Sequence, residues 1–148
     1  MKNRSLLLSS VCSLALLAPV SQALAVDHVE VIAEQAARVV TSGERAGFTW
    51  SRSQTLTGTL PHGYEKNHRL NLRKGTTYKI AAVCDNDCRD LDLKLYDENG
   101  NLIDKDFQSD DIPIVDVRPR RSATFKVVVQ MESCREDPCG YSVIVLKK

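Results

Sequence analysis

Net charge is nearly absent from this sequence: twenty Lys and Arg face nineteen Asp and Glu over 148 residues. A protein that grips nucleic acid by its phosphates needs a clear basic excess, so this balance excludes a nucleic-acid partner. Aromatic residues are also few, at 5%. That supply does not furnish both a core and an exposed sugar-stacking platform, so Phe48, Trp50 and Tyr64 are expected largely inside. Catalytic signatures are missing as well. There is no HExxH, no glycine-rich phosphate loop, no dinucleotide fingerprint and no nucleophile elbow. His28, His62 and His68 share no local signature with a serine or cysteine nucleophile. No catalytic residue is assigned, and a non-enzymatic protein is the expectation. Finally, no apolar run reaches the ~20 residues of a bilayer span, so no transmembrane segment is expected.

The first 25 residues have the anatomy of a secretory signal. Lys2 and Arg4 form a positive start, Leu6 to Val20 is an uncharged apolar run, and Ala23-Leu24-Ala25 gives a small-x-small cleavage pattern before Val26. Cys12 lies inside the apolar run, out of place for lipid attachment. The mature chain is therefore expected to be exported, to the periplasm or the extracellular space. It keeps eighteen basic and nineteen acidic residues and is long enough for one domain with its own core.

Cysteine usage agrees with export. Cys84, Cys88, Cys134 and Cys139 remain after the signal, and four cysteines in an oxidising compartment read first as two disulfides. The same C-x3-C and C-x4-C spacings also suit a four-cysteine zinc site, which an oxidising compartment disfavours. Local pairing (Cys84 with Cys88, Cys134 with Cys139) ties each loop to itself and is preferred, since each pair falls at the bend of an expected hairpin. Crossed pairing, which staples two hairpins together, stays open.

Residues 26–54 read as a helix and a connection. Val29, Ile32, Ala33, Ala36 and Val40 recur at helical spacing over 27–41, with Asp27 as N-cap and Thr41-Ser42-Gly43 as the stop. Residues 55–148 read as all-β. Period-two alternation predicts about eight strands near 55–60, 66–72, 76–84, 91–97, 101–107, 112–117, 123–131 and 140–146. Leu91, Leu93 and Leu95 are expected to face in, with Asp92, Lys94 and Tyr96 facing out. Asn99-Gly100 predicts a type I′ hairpin turn. Short strands without intervening helices mean an antiparallel sandwich or barrel.

Alternating strand directions place the 85–90, 108–111 and 132–139 loops at one end, with all four cysteines. Acids crowd that end. Asp85, Asp87, Asp90 and Asp92, with Asn86 among them, offer a flexible oxygen-rich frame of the kind calcium takes. No EF-hand pattern accompanies them, and Asp and Asn are also common turn formers, so a solvated loop is the competing reading. Arg118-Pro119-Arg120-Arg121 is expected at the opposite end, near Lys66, His68 and Arg69. It either meets an anionic surface or guards a strand edge against aggregation.

Several stretches together resemble the bacterial pre-peptidase C-terminal domain over about residues 55–146. They are Leu72-Arg73-Lys74-Gly75-Thr76-Thr77-Tyr78, Asp90-Leu91-Asp92-Leu93, Leu95-Tyr96-Asp97-Glu98-Asn99-Gly100-Asn101, Phe125-Lys126-Val127-Val128-Val129 and Tyr141-Ser142-Val143. The resemblance implies a jelly-roll-like β-sandwich, usually an appendage of exported enzymes, with calcium or a substrate polymer bound in some members. Two departures stand out: no enzyme domain accompanies it, and Ala123-Thr124-Phe125 replaces the family's Gly-x-Tyr. The expectation is an exported, non-enzymatic binding or accessory module with calcium as its candidate ion, its partner an exported protein or a cell-surface polymer. The alternative is a partner or inhibitor of a separate exported enzyme.

Overall fold

The computed structural model describes residues 20–148, with side chains from His28 onward. Most of the expected signal segment, residues 1–19, lies outside the described residues. A helix α1 (Val20–Arg45) leads into β1 (Thr49–Trp50), a 3-10 turn at Arg52–Gln54 and β2 (Leu56–Leu60). Then come β3 (Glu65–Leu72), β4 (Tyr78–Cys84), β5 (Cys88–Tyr96), β6 (Leu102–Asp106), β7 (Ile114–Val117), β8 (Ala123–Cys134) and β9 (Cys139–Lys147).

The strands form two antiparallel sheets. In the first, β1 and β2 both pair with one edge of β9, which pairs with β4, which pairs with β7. The second runs β3-β8-β5-β6. Leu70, Leu91, Leu93, Leu95, Val127, Val129 and Met131 of the second sheet meet Ile80, Ala82, Tyr141, Val143 and Val145 of the first in one buried core. Alternation therefore reads cleanly on β5 and β8, whose other faces reach solvent or charged neighbours.

The first sheet is covered twice. Val83, Ile144 and Leu146 point away from the sandwich core and are buried under Ile32, Ala36, Val39 and Val40 of α1, with Phe48, Trp50 and Ile112 beside them. This is why Ile80–Cys84 and Tyr141–Leu146 are buried at every position, as strands packed on both faces must be.

The helix differs from its sequence reading in three ways, each with a packing cause. Its sheet-facing stripe is Ile32, Gln35, Ala36, Val39, Val40 and Gly43, of which Gln35 and Gly43 are buried and the rest half-buried, whereas Val29 and Ala33 are exposed. Asp27 lies within the helix rather than capping it. Gly43 is not the stop: a Cβ there would meet Leu146 Cδ1 at 2.4 Å, so this glycine lets the helix lie close on β9. The end comes at Gly47, in the left-handed region at φ 82°, with Phe48 N–H donating to the Gly43 carbonyl.

Two turn readings are likewise corrected. The β5–β6 hairpin forms, but Asn99 has a negative φ and only Gly100 is positive, so the turn is not type I′. Asp97 Oδ1 accepts from the N–H groups of Asn99 and Asn101, and Gly100 N–H donates to the Asp97 carbonyl. This carboxylate builds a type I-like turn closed by a left-handed glycine, and the Asn101 side-chain hydrogen bond, aided by those amides, holds its pKa below the usual range. The cysteine loops are not hairpin bends either. β4 and β5 belong to different sheets, as do β8 and β9, so both loops arch across the sandwich.

At the side where β2 and β3 meet, Tyr141 of β9 lies across Gly58 of β2, its pair in the ladder. The buried Tyr141 hydroxyl is 2.8 Å from His68 Nε2 on β3, which links the two sheets. A Cβ on Gly58 would meet that hydroxyl at 2.7 Å. Gly58→Ala must therefore push the ring from its slot and break the His68 contact. Overpacking of this kind costs about 1–3 kcal/mol, so the midpoint of thermal unfolding should fall by roughly 4–10 °C, measured by calorimetry. An unchanged midpoint would mean the ring is free to move.

Candidate functional site

The disulfide end was built as expected from three loops. Cys84 bonds Cys88 and Cys134 bonds Cys139, the local pairing. The arches interlock through backbone hydrogen bonds: Asp85 N–H donates to the Gly140 carbonyl and Arg135 N–H to the Asp87 carbonyl. Leu91 N–H reaches the Asp110 carbonyl, bringing the third loop in.

The four acids expected at a calcium site divide into two groups with different work. Asp85 and Asp87 are buried, 3% and 5% exposed. Asp85 Oδ1 accepts from the Asp87 and Cys88 amides at 3.2 and 3.3 Å, and Oδ2 accepts from the Gly140 amide. His28 of α1 sets Nδ1 3.3 Å from Asp85 Oδ2 and Nε2 3.7 Å from Asp87 Oδ2. Arg135 donates to Asp87 Oδ1. These carboxylates bind the two arches and the helix to each other, and their oxygens are already engaged by protein donors.

Asp90 and Asp92 lie elsewhere, on the outer face of β5. There Glu132 of β8, Asp106 of β6 and Asp110 add to their negative field. Asp92 is only 8% exposed, and Asp90 Oδ1 is buried without a hydrogen-bond partner. Burial, then the charges of Asp90, Glu132 and Asp106, push Asp92 up to about 6 against the opposing pull of Lys94. Asp90 rises for the same reasons, burial first, then Glu132 and Asp110. Among the described residues, no three His, Cys, Asp or Glu side chains are grouped to hold a metal ion. The calcium reading thus reduces to Asp90 and Asp92 with Glu132 and Asp110, which the expected convergence of the loops brings to this end, and Asp106, which it does not.

Among the described residues no histidine is paired with a serine or cysteine side chain. His28 serves Asp85 and Asp87, His62 Nδ1 accepts weakly from the Cys134 amide at 3.4 Å, and His68 bonds Tyr141. Burial, then Lys66, lowers the pKa of His68, which favours the neutral ring that this contact uses.

The feature that sequence reading missed lies on the side opposite β2 and β3, where edge strands β6 and β7 run next to each other. Leu102, Ile103 and Phe107 are 48%, 44% and 48% exposed and Ile114 is 39% exposed. Lys105 Nζ sits 4.7 Å and Lys94 Nζ 5.7 Å from the centre of the Phe107 ring. Two amides of the β7 edge are already satisfied, since Asp106 Oδ2 accepts from Ile114 N–H at 2.9 Å and Asp104 Oδ2 from Asp116 N–H at 2.8 Å. The available signal was Leu102-Ile103 followed by Asp104-Lys105-Asp106 and then Phe107: apolar residues flanking a run of charges on an edge strand. Tyr64, at 64% exposed, also departs from the expected core placement, whereas Phe48 and Trp50 are packed under the helix.

Asp92 gives a pH-dependent prediction. Its folded pKa of about 6 exceeds its ordinary value of 3.8, so the folded state binds the extra proton. Its contribution to stability is full below about 3.8 and is lost as pH rises through about 6. Asp92→Asn should therefore raise the unfolding midpoint by about 3 °C at neutral pH and leave it unchanged near pH 4. Parallel wild-type and variant curves across that range would show that Asp92 titrates normally.

No family model matches the chain, and no curated protein matches it. Among solved structures, the crystal structure of Aeromonas hydrophila PliG, a periplasmic lysozyme inhibitor of g-type lysozyme, is similar with a TM-score of 0.49. The two are 13% identical over 64% of this chain and 84% of that one. A likeness of that size carries no functional argument, and the fold rests on the strands and ladders themselves.

Proposed function

We propose that this chain is an exported, non-enzymatic binding protein that docks on a separate exported protein through the β6–β7 side of the sandwich. The observation that carries this reading is the exposure of Leu102, Ile103, Phe107 and Ile114 on or beside two neighbouring edge strands. Large exposed apolar side chains beside charged ones along a sandwich edge favour a protein interface. The charges are present: Lys94 and Lys105 flank Phe107, and Lys79 pairs with Asp116 beside Ile114. The edge amides capped by Asp104 and Asp106 disfavour strand addition, so side chains rather than a backbone ladder make the contact.

Other features support the same reading. Two disulfides suit a compartment beyond the cytoplasm, periplasmic or extracellular. Within the described residues no helix is long and apolar enough to cross a membrane. Among the described residues the four cysteines are cross-linked and each histidine has a side-chain or backbone contact, which supports the non-enzymatic reading. A calcium-stabilised accessory role remains the second reading, carried by the orphan oxygen of Asp90 beside buried Asp92. Its signature is a rise in thermal midpoint with calcium that Asp92→Asn abolishes.

A panel of purified exported hydrolases (peptidases, lipases and lysozymes) tests the proposal by sedimentation and by loss of hydrolase activity. One member is expected to form a stoichiometric complex. Ile103→Asp with Phe107→Ser should weaken it about 100-fold, as central anchors do, without changing the unfolding midpoint of the free chain. A complex indifferent to that pair of changes, or turnover of an ester or peptide by the chain itself, overturns the reading.

A further inference from the structure

Although its net charge is close to zero, the sandwich is charged at both ends with opposite sign. The disulfide end carries Asp85, Asp87, Asp90, Asp92, Asp110 and Glu132. The far end carries Arg73, Lys74, Arg118, Arg120, Arg121 and Lys147, all exposed. Arg118 and Pro119 bind the Gly75 turn there, with Gly75 N–H donating to the Pro119 carbonyl and Arg118 Nε to the Gly75 carbonyl. The basic loop thus joins Arg73 and Lys74, not the Lys66–Arg69 stretch expected from sequence. The nearest acids are occupied: Glu98 pairs with Arg121, Asp116 with Lys79, and Asp97 holds its own turn. Among the described residues Arg73, Lys74, Arg118, Arg120 and Lys147 form no ion pair, so the end keeps a positive excess.

A cleft of about 800 Å³ opens at this end, between the 3-10 turn, the close of β3, the starts of β4 and β8 and the end of β9. That size suits a small ligand. Its lining contains no acidic side chain among the described residues. Thr49, Ser53, Asn71, Arg73, Thr76 and Lys147 contribute hydroxyl, amide and cationic groups. Among the described residues neither Arg73 nor Lys147 makes an ion pair, and the hydroxyls of Thr49, Ser53 and Thr76 make no side-chain hydrogen bond. The frame behind them is fixed. Gln54 donates to the Asn71 carbonyl, Thr124 to Asn71 Oδ1, and the Arg73 amide to the buried Tyr78 hydroxyl.

The geometry points to a binding site for an acidic saccharide, a sugar chain bearing carboxylate groups. Arg73 and Lys147 meet the carboxylates, and the hydroxyl and amide groups meet the sugar hydroxyls. An acidic peptide fits less well. A peptide interface wants an apolar centre, and the apolar residues here, Leu72, Tyr78 and Ala123, are already taken up by the core. The charge at the two ends favours the same ligand, since it steers a polyanion to this end and away from the other. This site stands apart from the β6–β7 edge and depends on no partner protein.

The test is a nuclear magnetic resonance titration of the full exported chain with tetragalacturonate. Its neutral galactose counterpart and a polyglutamate peptide of equal charge serve as comparisons. Saturable shifts are expected at the amides of Arg73, Thr76 and Lys147, with the neutral sugar and the peptide binding more weakly. Arg73→Gln with Lys147→Gln should weaken tetragalacturonate about tenfold, and Ile103→Asp with Phe107→Ser should leave it unchanged. Equal binding of the neutral sugar overturns the role of the cations. Equal binding of polyglutamate overturns the saccharide in favour of an acidic peptide. Absence of saturable shifts, or shifts confined to other residues, overturns the site.

Discussion

The structure depends on one packing constraint: the β4–β9 pair is buried on both faces. One face closes the sandwich core through Ile80, Ala82, Val143 and Val145, and the other receives α1 on Val83, Ile144 and Leu146. A sheet buried twice must satisfy its backbone within the ladder and offer apolar residues at consecutive positions, and these strands do both. The helix cannot then be an ornament. Without it Val83, Ile144 and Leu146 would face water, at a cost of several kcal/mol from lost apolar burial. Gly43 matters for the same reason, because its missing side chain sets how near the helix axis comes to β9.

Asp85 turns that packing into a closed end. One carboxylate receives amides from its own arch and from the neighbouring arch, and His28 from the helix. Buried charge is tolerated because each oxygen has a donor. Each disulfide spans only one arch, so the covalent links do not join the arches. That task falls to Asp85, Asp87 and Arg135 through hydrogen bonds. A crossed pairing would have done it covalently, and the hydrogen bonds make the crossing unnecessary.

Much of this architecture was legible in the sequence. The eight longer strands fell close to their expected places because Leu91-Leu93-Leu95 and Phe125-Val127-Val129 sit in a sheet with one open face, where alternation survives. The convergence of the three acidic loops followed from strand direction alone. What was not legible required knowing which sheet a strand joins. The cysteine loops looked like hairpins because β4 and β5 are adjacent in sequence, and only the ladders reveal that they part. Gly43 and Gly47 are both reasonable helix stops, and only contact with Leu146 separates a packing glycine from a capping one. The four acids of the calcium reading were close in sequence yet divided by the arch, which carries Asp85 and Asp87 inward and leaves Asp90 and Asp92 on the sheet face. Of their neighbours, Glu132 belongs to a segment that strand direction already brings to this end, and Asp106, from β6, is the one not expected there.

The same division bears on function. Acids drawn inward at Asp85 and Asp87 serve structure, so the exposed chemistry must be sought where the fold spends residues without structural return. Two places meet that description. Leu102, Ile103 and Phe107 keep much of their area in water beside a β7 edge whose Ile114 and Asp116 amides are satisfied, and Arg73 and Lys147 line a cleft with no acidic side chain among the described residues. Exposed apolar area invites aggregation, and unpaired like charges repel. Neither helps the sandwich fold, and each is a liability that a ligand or a partner would relieve.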